Sequence, residues 1–134
     1  MKIKVFVVSL ALLMFASVQS HAGSGSTAAP LSTPELKQAI GAGKGTIVFF
    51  LNPQGGPCRA QGEILERLLK DRKGNFSIAY VSAMKQADQR AFYDYGIRNL
   101  PSLVLVDKKG NINRIFPPGI QSYETLGKAL DSIK

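Results

Sequence analysis

Thr46 to Leu51 reads TIVFFL, a run with one polar side chain at its start, and this continuous apolar, β-rich pattern is that of a strand covered on both faces. Phe76 to Ser82, FSIAYVS, predicts a second central strand. SLVLVD, Ser102 to Asp107, and NINRIF, Asn111 to Phe116, predict two more. They are joined through Asp107-Lys108-Lys109-Gly110, a turn whose glycine suits an antiparallel hairpin. Between the strands the period lengthens to that of helices. Ser32-Thr33-Pro34-Glu35 offers a capping box with proline near the first helical position, Leu36, Ala39 and Ile40 give the helix an apolar face, and Gly41 to Gly45 ends it. Cys58 to Lys70 predicts a helix with Ile64, Leu65, Leu68 and Leu69 on one face and Glu63, Glu66, Arg67 and Lys70 elsewhere on its surface. Lys85 to Gly96 predicts a third helix, stopped by glycine. Ser122 caps a fourth from Tyr123 to Ile133, with Leu126, Ala129, Leu130 and Ile133 facing inward. The order helix, strand, helix, strand, helix, strand, strand, helix specifies an α/β domain, a mixed central sheet with helices on both faces.

The first 22 residues follow another rule. Lys2 and Lys4 precede a mostly apolar run from Val5 to Val18, and Ser20-His21-Ala22 places small residues where an export signal is cut, so residues 1–22 read as a signal peptide. The run is shorter than the roughly 20 residues of a membrane helix; a buried N-terminal helix is the alternative. Residues 23–31, GSGSTAAPL, carry no charge and are rich in Gly, Ser and Ala, which predicts a flexible linker. Residues 32–134 then form one domain. An exported protein, free of the membrane after cleavage, is expected, with a bacterial periplasm as its compartment.

Charge changes this picture only slightly. Taking Lys2 and Lys4 from the 17 basic residues leaves 15 against 9 acidic ones, a balance of about +6. The lysines and arginines are scattered without interleaved aromatics, so no nucleic-acid partner is expected. The single histidine, His21, lies in the signal, which leaves the mature chain no histidine for a metal site or a Cys–His pair. No cofactor and no metal are called for.

The candidate chemistry centres on the chain's one cysteine, Cys58, placed where the Pro/Gly-rich corner NPQGGP opens a helix. The apolar strand, the corner GGPCR, the stretch IRNLPSLVLVDKKG before a hairpin and the amphipathic C-terminal helix together resemble the thioredoxin family over nearly all of Ser32 to Lys134. That resemblance implies a thioredoxin fold and thiol–disulfide exchange with disulfide- or thiol-containing proteins, recharged by a redox donor protein, in an exported monomer. The family's corner reads Trp-Cys-Gly-Pro-Cys, and here it aligns as Gln54-Gly55-Gly56-Pro57-Cys58. Gly55 therefore stands where the family has its attacking nucleophile, and Cys58 matches the resolving cysteine. Phe49 stands where many relatives keep a buried acid that aids proton transfer. The resemblance further implies that Leu100-Pro101 carries a cis bond, faces the corner, and with Gly56 and Pro57 binds an extended substrate.

A dithiol reductant needs one thiolate to attack a disulfide and a second thiol to resolve the mixed disulfide. With Gly55 in place, the chain is expected to be inactive or limited to single mixed disulfides through Cys58. Three readings follow: an oxidoreductase with its nucleophile replaced, a non-catalytic peptide-binding module, and a one-cysteine peroxidase, for which Arg59 is present but the threonine before the cysteine is not. Cys58 itself reads either as a reactive single thiol or as a small buried hydrophobe.

Overall fold

A computed structural model of the protein describes residues 26–134; the expected signal peptide, residues 1–22, and the start of the linker lie outside the described residues. Four helices and four strands follow in the expected order: α1 (Pro34–Gly41), β1 (Gly45–Leu51), α2 (Gly56–Asp71), β2 (Phe76–Ser82), α3 (Gln89–Tyr95), β3 (Ser102–Val106), β4 (Ile112–Ile115) and α4 (Tyr123–Ser132). The sheet order is β2-β1-β3-β4, with β1 parallel to β2 and antiparallel to β3, and β3 antiparallel to β4. This is a mixed sheet, and the parallel pair is connected through α2.

Successive side chains of a strand point to opposite faces, and the apolar run of β1 divides accordingly. Ile47 and Phe49 join Leu103 and Leu105 of β3 against Leu65 and Leu68 of α2 and Leu126, Ala129 and Leu130 of α4. Val48 and Phe50 join Val104 and Val106 against Leu36 and Ile40 of α1 and Ala91 and Tyr95 of α3. Helices thus cover both faces, and a run apolar at every position is what two buried faces require.

Four local expectations are corrected. The capping box at Ser32–Glu35 does not form. Thr33 is the cap, accepting the Leu36 N–H, while the Ser32 hydroxyl donates to Asp94 and Glu35 accepts the backbone N–H of Tyr80 on β2, which lies at the edge of the sheet and not in its centre as its apolar pattern suggested. The predicted helix 85–96 begins as a 3-10 turn, Gln86–Asp88, because the buried Asp88 carboxylate turns inward to accept the Ser82 N–H at 2.8 Å, and only Gln89–Tyr95 is α-helical. Gly96 ends it with φ 66°, a left-handed conformation open to glycine. Part of the segment predicted as a flexible linker is also held. Ala28 bridges Asn111, Ala29 N–H donates to Gly110 O at 2.9 Å, Ile112 N–H donates to Thr27 O at 2.8 Å, and the Tyr95 hydroxyl donates to Pro30 O. Residues 27–30 therefore cover the outer edge of β4 at its start, the kind of edge that otherwise invites pairing.

Candidate functional site

At the end of β1 the chain turns a corner that Asn52 organises. Its side-chain oxygen accepts the Gln54 N–H at 3.0 Å and its carbonyl accepts the Gly55 N–H at 2.9 Å. Gly55 is the N-cap of α2, Gly56 and Pro57 fill the first two helical positions, and Cys58 is third. Proline is well suited there, since an N–H at that position has no intrahelical partner. Gly56 and Pro57 are exposed, whereas Cys58 is 3% exposed and packs in the cluster with Phe49, Leu65 and Leu103. The Asn52 backbone N–H points at Cys58 Sγ at 3.4 Å.

Gly55 has φ −79° and ψ 130°, an ordinary extended conformation, so nothing in the backbone demands glycine. A Cβ built there would lie 3.6 Å from Cys58 Sγ, 3.8 Å from Cys58 Cβ and 3.3 Å from the Asn52 carbonyl oxygen. The position thus adjoins the sulfur directly, and glycine also leaves the start of α2 without a side-chain cap.

The second candidate segment reaches the same end of the sheet through register. Phe50 of β1 lies opposite Ser102 of β3, so Pro101 falls level with the last residues of β1, from which the Cys58 corner departs. The Leu100–Pro101 bond is cis, Pro101 is buried, and Leu100 packs against the cluster that holds Cys58. The Pro101 carbonyl accepts the Gly119 N–H at 3.0 Å, which ties the loop after β4 to the start of β3.

Two residues not singled out in the sequence complete the arrangement. Asn52 shapes the corner. Gln61, one turn beyond Cys58 on the buried face of α2, is fully buried and grips Gln121 at both ends of its amide: Nε2 donates to Gln121 O at 3.2 Å and Oε1 accepts the Gln121 N–H at 2.6 Å. The loop 117–121 is therefore fastened to α2 through Gln61 and to β3 through Pro101. A glutamine among Cys58, Leu65 and Leu68 at helical spacing was the available signal, since a polar residue on an apolar face needs a dedicated partner.

The interior below the sulfur is apolar. Phe49 is 1% exposed, its ring centroid 5.9 Å from that of Tyr80. Burial, reinforced by Glu66 and Glu35, raises the Tyr80 hydroxyl above the ordinary tyrosine pKa, so it stays protonated. Among the described residues, no group of three or more His, Cys, Asp or Glu is gathered as a metal site would require. The chemistry available at this corner is that of one shielded sulfur beside an exposed Gly-Pro step.

Comparison with known proteins follows this geometry. The model of a family described as a thioredoxin-like domain matches residues 33–134. Among solved structures, a thiol:disulfide interchange protein of the thioredoxin family from Chlorobium tepidum superposes with a TM-score of 0.67 at 19% identity, covering 84% of this chain and 99% of that one. A thioredoxin from Fasciola hepatica gives 0.61 at 23% identity, covering 74% and 91%. The exposed lipoprotein thioredoxin of Streptococcus pneumoniae gives 0.60 at 16% identity, covering 69% and 89%. At these identities the likeness is one of fold.

Proposed function

The chain belongs to the thioredoxin-like family, and from that premise we propose that it is a periplasmic thiol–disulfide protein whose redox chemistry is confined to a single sulfur, Cys58. The observation that carries this reading is the placement of Cys58 at the third position of α2, beside a Gly55 whose missing Cβ would sit 3.8 Å from its own. The Cys58 thiolate attacks a substrate disulfide, one new S–S bond forms between Cys58 and the nearer substrate sulfur, and the other substrate sulfur leaves as a thiolate. Release then requires a thiolate from another molecule to attack the mixed disulfide, because no second thiol exists in the chain. The protein therefore captures partners one to one and does not turn over alone.

Gly56, Pro57, Leu100 and Pro101 are the proposed binding surface, pairing with an extended segment of a disulfide- or thiol-containing protein through backbone groups at the start of β3. Residues 1–22 direct export, and the mature protein works as a monomer. The burial of Cys58, at 3% exposure, supports a second reading in which the same surface binds extended peptides without any sulfur chemistry. Assay of disulfide reduction with a dithiol donor separates the two, run on this protein and on Gly55→Cys. Turnover gained by the variant supports the redox reading; a variant that folds, closes its disulfide and exchanges with no substrate supports the binding module.

A further inference from the structure

At the end of the sheet opposite Cys58 lies a cavity of about 500 Å³, bounded by the starts of β1 and β2, the chain just beyond β3 and the end of α4. The volume is in the range of about 300–1,000 Å³ typical of small-molecule sites. Its apolar lining comes from Phe76, Leu130 and Ile133, and its charged lining from Lys44, Arg72, Lys108 and Lys134.

Those four cations are not balanced locally. Arg72 Nη1 and Lys134 Nζ share the one carboxylate of Asp131, at 3.0 and 3.3 Å, and Arg72 Nη2 also donates to Gly127 O. Lys44 Nζ donates only to a neutral carbonyl, Gly74 O at 3.1 Å, and among the described residues neither Lys44 nor Lys108 is paired with a carboxylate. A concave site with an apolar lining and surplus positive charge focuses its field on an anion. Gly45 adds shape to charge: a Cβ there would lie 2.5 Å from Ile133 Cδ1, so glycine is what lets Ile133 close over the start of β1.

We propose that this cavity binds a small amphipathic anion, an alkyl or aryl carboxylate whose apolar body lies on Phe76, Leu130 and Ile133 and whose carboxylate faces Lys44 and Lys108. Neither part suffices alone, since apolar contact holds the body while the unpaired lysines select the charge. The site is independent of Cys58 and of the redox reading.

Octanoate is the probe, titrated into the whole protein and followed by amide shifts. The expected result is saturable shifts at Gly43–Gly45, Phe76 and Leu130–Lys134, with affinity falling as salt rises. Octanamide should bind about tenfold or more weakly. The exposed double reversal Lys44→Glu/Lys108→Glu should lower octanoate affinity by a similar factor, whereas Lys85→Glu, a single reversal of the same kind beyond β2 at the other end of the sheet, should leave it within about twofold. Gly45→Ala, which displaces the flexible end of Ile133 without changing charge, should weaken octanoate and octanamide alike. Equal affinity for octanoate and octanamide, equal affinity for inorganic phosphate, or no effect of the double reversal would each overturn the proposal, as would the absence of saturable shifts.

Discussion

Replacing Gly55 by cysteine should produce a chain that closes an internal disulfide with Cys58 on oxidation and is more stable for it. The geometry sets the expectation: the new Cβ would stand 3.8 Å from Cys58 Cβ, within the range of about 3.5–4.5 Å found in disulfides. The backbone at 55 is already in a conformation any residue adopts, and a cap position accepts a side chain. The closed loop is short, so the loss of chain entropy in the unfolded state stabilises the oxidised form by about 2 kcal/mol at most. Against this stands the 3.3 Å approach of the Cβ to the Asn52 carbonyl, which requires the corner to give by a few tenths of an ångström. That cost falls on the oxidised and reduced forms together, so their difference isolates the crosslink. The assay is denaturant unfolding of the variant with and without a reductant, with free thiols counted in each. An oxidised midpoint clearly above the reduced one, with no free thiol, is expected. Two free thiols under oxidant, or an oxidised form no more stable than the reduced, would refute the geometry on which the site rests.

Other consequences follow from neighbouring groups. Gln61→Leu removes both bonds to Gln121 and leaves its half-buried N–H and C=O without these partners, so a loss of about 1–3 kcal/mol in denaturant unfolding is expected. The same variant should make Cys58 react faster with a disulfide reagent under native conditions, because the loop that Gln61 anchors is freed. Burial pushes the Tyr95 hydroxyl up to about 12 from 10.0, with Asp94 adding to the shift, and the protonated hydroxyl donates to Pro30 O. Its contribution is therefore intact below pH about 10 and lost as pH rises toward about 12. Alkaline unfolding should lose that component in Tyr95→Phe, so the stability difference between the two proteins should shrink as pH rises from about 10 toward about 12.

The two buried faces of the sheet were legible because β1 from Ile47 to Leu51 and β3 from Leu103 to Val106 are apolar without interruption, and only a covered sheet accommodates that. The corner was legible for a similar local reason: Pro57 and the glycines can open a helix, and Cys58 falls where its inner face begins. The boundaries that shifted depend on distant partners. Ser32 looked like a cap but is held by Asp94, 62 residues away, while Asp88 is drawn from its helix by the Ser82 N–H. Residues 27–30 of the expected linker are held for the same reason, since a composition rich in small residues says nothing of the backbone groups at Gly110 and Asn111 that bind them. Gln61 was visible as a polar residue on an apolar face, but its partner is the backbone of Gln121, which no side-chain pattern announces.

The central claim is that Cys58 is a working but solitary thiol. Intact-mass measurement of the native protein after exposure to a disulfide-bonded substrate peptide, with and without a dithiol donor, tests it most directly. One peptide per chain, attached through Cys58, absent in Cys58→Ala, formed more slowly than in unfolded protein and followed by no catalytic turnover with the donor, is the predicted result. Sustained turnover that Cys58→Ala abolishes, or a native protein that never acquires the adduct while the unfolded chain does, would contradict it.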